Sequence, residues 1–234
     1  MADEHDHLAT VTPISSRLSS DKPTFVSIFG KKGEGKSVLA RRLWDTWPGD
    51  EFCIDVTNDA LGPHDVDHTY DYVPDFWPQP LREDEPVRIR YVPDMRSPTN
   101  YDDLDRAVGF ACKKRGSLLW IDEIGIVSRV NRTGPNMNHL LNQGRHDRMS
   151  TLFCGPRPIN VDPLVLHQSD YVYVFKLPNP NDRKRVADSC GIDPKTLDDA
   201  VHALGDHQYL RWDGKELVHF DPLPMQRARP PRAR

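Results

Sequence analysis

The sequence predicts a three-layer α/β sandwich, a mostly parallel central sheet with helices on both faces. Three observations lead there. Phe25 to Phe29 is an apolar run that turns through glycines into a striped helix. Ser117-Leu-Leu-Trp-Ile is a second apolar run, ending in Asp122-Glu123. Between and beyond them, strand-like and helix-like segments alternate. Unbroken apolar strands are buried on both faces, which in practice means a parallel sheet covered by helices.

The first run leads into Gly30-Lys31-Lys32-Gly33-Glu34-Gly35-Lys36-Ser37. This fits G-x-x-x-x-G-K-[ST], the phosphate-binding loop or Walker A pattern. Glycines allow the backbone to wrap a polyphosphate with successive N–H groups pointing inward, and the following helix N-terminus adds partial positive charge. Lys36 is placed to reach the terminal phosphates, and the Ser37 hydroxyl to ligate Mg²⁺. The loop residues Gly30, Lys31, Lys32, Gly33, Glu34 and Gly35 complete the expected ATP cradle. Lys31 also occupies the place of the extra lysine in the deviant loops of ParA/MinD-type proteins, but it reads more simply as a surface lysine.

With 234 residues and 37% apolar content, the chain suits one such domain. Its 21 prolines imply long ordered loops and extended tails. The net charge of −4 gives no overall attraction to nucleic acid. Cys53, Cys112, Cys154 and Cys190 include no C-x-x-C pair, which argues against a zinc site or a disulfide framework and for a reducing cytoplasm. No apolar run reaches the roughly 18 residues of a membrane helix. The opening Met-Ala-Asp-Glu-His-Asp-His does not resemble a signal peptide, so a cytoplasmic protein without membrane insertion is expected.

Residues 1–22 are polar, rich in serine and without periodicity, and read as a disordered arm. The domain is expected to span 23–224. After the loop and its helix, Glu51 to Val56 reads as a strand. Residues 58–85 carry many Asp, Pro and aromatic residues without a period, and are expected to be an ordered loop anchored by its aromatics. Pro86 to Val92 alternates, with Val87, Ile89 and Tyr91 against Arg88 and Arg90, the pattern of a half-buried strand. Asn100 to Lys114 forms a helix with Leu104, Ala107, Val108 and Ala111 in its stripe, stopped at Gly116.

Strand 117–121 ends in a carboxylate pair, which reads as Walker B. Asp122 is expected to hold Mg²⁺ and Glu123 to polarise the attacking water. Residues 127–136 read as a loop bearing Arg129 and Arg132, followed by a helix from Met137 to Arg148 and a strand from Met149 to Cys154. A short helix from Asp162 to Gln168, a strand from Tyr171 to Leu177, and helices 181–190 and 194–204 complete the layers. Two final strands flank Asp213-Gly214, a hairpin with type I′ turn chemistry. Residues 225–234 combine prolines with Arg227, Arg229, Arg232 and Arg234. That tail reads equally as an acidic-partner or nucleic-acid contact and as a soluble end.

From Walker B onward, the order of features resembles the FtsK/HerA branch of additional-strand P-loop ATPases. The stretches that carry the likeness are Gly144-Arg145-His146, Arg157-Pro-Ile-Asn-Val-Asp162-Pro163 and Gln168-Ser-Asp170-Tyr-Val-Tyr-Val-Phe-Lys-Leu177. The resemblance implies an ATP-hydrolysing, DNA-dependent translocase or genome-packaging motor. It implies a ring, in many relatives a hexamer, on double-stranded DNA. An arginine from one subunit would reach the next subunit's nucleotide, with Arg145 and Arg148 as first candidates and Arg157 third. DNA contact would be to phosphates, through Arg129, Arg132 or Lys113-Lys114-Arg115. The compact build resembles phage or plasmid packaging ATPases most. One position departs from the pattern: where the family carries a polar sensor, usually Gln, this chain has Pro156, which cannot donate a hydrogen bond. The alternatives are a phage assembly ATPase resembling zonular occludens toxin and a ParA-like nucleotide switch.

Overall fold

The computed structural model describes residues 22–81 and 85–224. The expected N-terminal arm, apart from Lys22, and the basic tail lie outside the described residues. Among the described residues there are eleven strands and seven α-helices. The strands are β1 Phe25–Phe29, β2 Glu51–Asp55, β3 His68–Tyr70, β4 Arg88–Tyr91, β5 Leu118–Asp122, β6 Ser128–Arg129, β7 Arg132–Thr133, β8 Ser150–Gly155, β9 Tyr171–Val174, β10 Tyr209–Trp212 and β11 Leu217–Phe220. The helices are α1 Lys36–Asp45, α2 Asn100–Cys112, α3 Ile124–Val127, α4 Pro135–Gln143, α5 Pro163–His167, α6 Pro180–Cys190 and α7 Pro194–His202.

Nine strands form one sheet in the order β11-β10-β9-β1-β8-β5-β2-β4-β3. From β9 to β3 every pairing is parallel. The α/β sandwich expected from the sequence is therefore present. Side-chain alternation sends Phe25, Phe29, Phe52, Ile54, Leu119, Ile121 and Phe153 to one face, where they pack with α2 and α4–α7. Val26, Ile28, Cys53, Leu118, Trp120, Leu152 and Cys154 face the other way, toward α1 and Trp47. The aromatic contact of Trp44 with Trp120, 5.8 Å between ring centroids, ties α1 to the sheet centre. Helix starts are fixed locally. Asp162, Asn179 and Asp193 each accept a backbone N–H at the first turn of α5, α6 and α7, and each is followed by proline.

Several expectations are corrected. The arginine face of β4 is not solvated: Arg88 and Arg90 are 4% and 6% exposed. Arg88 pairs with buried Glu51, and Arg90 with buried Asp55 at 2.7 Å, both acids coming from β2 next door. Within 58–85 lies a strand, β3, at the edge of the sheet, although Trp77 does anchor the segment by stacking on Phe110. The 127–136 stretch is a small hairpin, β6–β7, rather than an irregular loop. Helix α4 begins earlier than expected, with Pro135 in its first turn, and ends at Gln143, leaving Arg145 and Arg148 on turns. The expected C-terminal hairpin is present and joins the main sheet, β10 adding antiparallel to β9. Its loop is not type I′. Trp212 faces Leu217 across a four-residue connection in which Asp213 accepts the N–H groups of Lys215 and Glu216, and Gly214 alone takes positive φ.

Candidate nucleotide-binding site

Strands β1 and β5 flank β8 in the sheet and end on the same edge. There the chain turns sharply twice. After β1, the loop 30–35 curls back so that Lys31 N–H donates to Lys176 O at 2.9 Å, next to the end of β9. Gly30 has no room for a side chain, since a Cβ would lie 2.5 Å from Phe175 Cβ. Gly35 caps α1 with φ 104°, a left-handed conformation natural to glycine. No side chain caps α1 and no acid sits in its first turn. Its N–H groups and partial positive charge therefore remain available for an anion.

Lys36 Nζ donates to Lys31 O at 3.1 Å, which folds the lysine over the loop. Burial lowers its pKa, against the opposing pull of Cys154, Glu123 and Asp122. After β5 the chain breaks abruptly at Glu123, with φ 64° and ψ 51°. A non-glycine residue in this left-handed region costs about 1–2 kcal/mol, and such strain collects at working sites. The turn lets the acid stand at the mouth of the cleft while Ile124 drops into the core. Burial, then the neighbouring Asp122 carboxylate, raise the Glu123 pKa, with Lys36 and Lys32 opposing. A carboxylate shifted upward in this way is a stronger base.

Asp122 is 8% exposed. It accepts a 2.8 Å hydrogen bond from Thr57 Oγ1. Burial raises its pKa, the Thr57 bond lowers it, and nearby Asp55 raises it again. Thr57 was not anticipated from the sequence. It sits where it does because Asp55 and Asp122 are register partners in adjacent parallel strands. Fully buried Asp55 organises the turn that follows. It accepts the N–H groups of Asp59, Ala60 and Leu61, and two bonds from Arg90. Arg90 Nη2 also holds the Asn58 amide oxygen at 2.5 Å, with Asn58 at φ 59°. The available signal was the acid at the end of the strand next to the Walker B strand, together with a basic strand opposite it.

These elements converge on a cleft of about 470 Å³, lined by Lys32, Gly33, Gly35, Lys36, Ser37, Val38, Thr57, Asp59, Asp122, Glu123 and Pro156. Of the expected site residues, Lys32, Gly33, Gly35, Lys36, Ser37, Asp122 and Glu123 are brought together here, while Gly30 is not in the lining. Lys31 and Glu34 line a separate cavity of about 390 Å³ on the β9 side, with Lys176 and Arg183. A third, about 510 Å³, adjoins the main cleft through Glu123 and Pro156 and is lined also by Arg129 and Arg157. The oxygen donors at Ser37, Asp122 and Thr57 fit Mg²⁺, which takes hard oxygen ligands and keeps part of its water shell.

The arginines fall elsewhere. Arg145 pairs with Asp170 at 3.0 Å, donates to Gln168 O and lies over the Phe25 ring. Phe25 opens β1, so this group sits at the opposite edge of the sheet from the loop. Arg148, at φ 57°, is exposed at the same edge, just before β8. Neither reaches the cleft of its own chain. Arg157 lies near the cleft but is bound to Asp182 at 3.1 Å.

No family model and no curated protein matches the sequence. Solved structures do share its fold. The genome packaging NTPase B204 of Sulfolobus turreted icosahedral virus 2, in complex with ATPγS, superposes with a TM-score of 0.67 at 17% identity, covering 86% of this chain and 98% of that one. The conjugation coupling protein TcpA of pCW3, monomer form with ATPγS, gives 0.54 at 13% identity over 86% of this chain and 60% of its own. EssC ATPases 2 and 3 from Geobacillus thermodenitrificans give 0.56 at 12% identity, over 88% and 41%. The chain thus has the fold of the FtsK-like P-loop ATPases, as the motif order implied. No helix among the described residues is long and apolar enough to cross a membrane.

Proposed function

We propose that this chain is a Mg²⁺-dependent ATPase that moves double-stranded DNA, in the manner of a genome-packaging or conjugative motor, as a ring of identical subunits. The observation that carries the reading is the convergence of Lys36, Ser37, Asp122 and Glu123 on one cleft at the carboxyl edge of β1 and β5. In α/β sheets of this type, ligands bind outside those strand ends.

In this reading, the amides of residues 30–36 and the Lys36 ammonium hold the triphosphate. Ser37 and Asp122 hold Mg²⁺, which when bound neutralises phosphate charge. Thr57 keeps Asp122 from rotating. Glu123 takes the proton of the attacking water, helped by its raised pKa. Pro156 lines the cleft where relatives place a polar sensor, so response to the γ-phosphate passes to other groups. Arg145 and Arg148 act only if a neighbouring subunit presents its opposite sheet edge to this cleft, because within one chain they are remote. The near full-length superposition on a compact packaging NTPase favours the motor over a ParA-like switch. The Asp122–Glu123 pair also favours it, since it supplies a water-activating base directly after Walker B.

The deciding experiment is ATP turnover by purified protein with and without duplex DNA. Turnover that needs Mg²⁺ and rises with DNA is expected. Turnover indifferent to DNA removes the motor, and absence of turnover removes the ATPase.

A further inference from the structure

We propose that the β6–β7 hairpin is the surface that grips the phosphodiester backbone of nucleic acid, and that α3 passes this contact to Glu123. The coupling half rests on the ATPase reading; the gripping half does not. Residues 129–132 are all exposed at the hairpin tip. The guanidinium groups of Arg129 and Arg132 lie over one aromatic ring, that of Tyr101, at 5.4 and 4.0 Å from its centroid. Among the described residues neither arginine is in an ion pair, whereas Arg145, Arg157 and Arg183 each face a carboxylate. Two cations are thus pre-ordered by stacking and keep their charge for a ligand. Asp162, bonded to the hairpin through Thr133 Oγ1, also accepts the Leu164 N–H.

The other basic group, Lys113-Lys114-Arg115, is partly engaged within the chain. Lys114 pairs with Asp50 at 2.9 Å, and Arg115 donates to His146 O. Both lie at the edge of the sheet remote from the cleft. The hairpin stands beside the cleft: Arg129 lines the same cavity as Glu123. It is also joined to that acid. Arg129 Nε donates to Gly125 O at 3.1 Å, and Ile126 N–H donates to Glu123 O at 2.8 Å. Only the four residues of α3 separate Glu123 from β6. Arg129 also bridges to Val161 and Val130 N–H donates to Asn160 O, tying the hairpin to the turn after β8. A pull on the arginines therefore reaches the left-handed Glu123 through one helical turn. Paired guanidiniums suit closely spaced phosphates, and the chain's net charge of −4 requires such contact to be local.

The test is binding of fluorescent duplex DNA, without nucleotide, across a salt series, with single-stranded DNA and polyglutamate as further arms. The double variant Arg129→Ala/Arg132→Ala should reduce the slope of log affinity against log salt by about two, at about 0.9 per lost phosphate contact. Arg132→Lys should keep its share of the slope. The triple variant Lys113→Ala/Lys114→Ala/Arg115→Ala should keep the parent slope. Tyr101→Phe retains the stacking and should bind as the parent, while Tyr101→Ala should weaken binding; melting curves establish that each variant is folded. Stimulation of turnover by saturating DNA should vanish in Arg132→Ala. An unchanged slope in the folded double variant overturns the grip, as does a parent that binds neither DNA form or prefers polyglutamate. Full stimulation in Arg132→Ala overturns the coupling. A parent without ATP turnover sinks the ATPase reading and the coupling with it, and the salt slope still decides the grip.

Discussion

Glu123 joins two demands that substitution can separate. Its backbone is left-handed, at φ 64° and ψ 51°, and in the proposed function its side chain acts as the base. Glu123→Gln keeps shape and hydrogen bonding but removes the proton acceptor. Loss of a positioned general base costs about 10²–10⁴-fold in rate. Turnover should fall by that amount while Mg²⁺-dependent binding of labelled ATP persists. The backbone half is read from Glu123→Gly and Glu123→Ala. Both delete the carboxylate, but only glycine adopts the left-handed region freely. Relief of about 1–2 kcal/mol of strain is offset by about 0.4–1 kcal/mol of extra freedom in the unfolded chain. Glycine should therefore be the more stable of the two by about 1 kcal/mol, a melting point higher by roughly 2–4 °C in a domain of this size. At an ordinary helical position the order is reversed by a similar amount. If the alanine variant melts at or above the glycine variant, the strained turn is not what positions this residue.

Other outcomes follow from the same geometry. Asp55→Ala strands buried Arg90 and three backbone N–H groups, and should cost about 3–5 kcal/mol in a denaturant titration. Thr57→Val removes the hydroxyl that fixes Asp122, so the Mg²⁺ concentration that half-saturates nucleotide binding should rise by about tenfold, with Thr57→Ser restoring it. Gly30→Ala forces a Cβ against Phe175 and should lower both the melting point and ATP affinity. The proposed mechanism needs Glu123 deprotonated, so turnover should climb with pH through a pKa raised from the ordinary Glu value by burial and by Asp122. The stability effect has the opposite sign. Glu123 and Asp122 hold protons more tightly folded than unfolded, so their contribution falls as pH rises through that window. Glu123→Gln should flatten part of that slope in pH-dependent melts.

What could be read from the sequence was what local pattern determines. The glycine spacing of 30–35 and the unbroken apolar run of 118–121 announce the loop, the buried strand and the acids at its end. Helices α5, α6 and α7 stand close to where 162–168, 181–190 and 194–204 were expected. The misreadings arose where a neighbour in space decides. Arg88 and Arg90 alternate like a solvated face, but parallel pairing sets them against Glu51 and Asp55, thirty-odd residues earlier in the chain. Thr57 gained its partner only through the order of β2 and β5 in the sheet. Asp213-Gly214 carries hairpin chemistry, but the cross-strand register left four residues to span, and the Asp213 carboxylate closed the loop instead. The position of Arg145 at the far edge depends on where Asp170 and Phe25 come together, which no local window contains.

In the proposed function, ATP hydrolysis at the Gly30–Ser37 cleft powers movement along DNA. Displacement of a labelled third strand from a triplex on duplex DNA tests it most directly. Displacement should require ATP and Mg²⁺ and be lost in Glu123→Gln. ATP hydrolysis by the parent protein with the third strand left in place would contradict it.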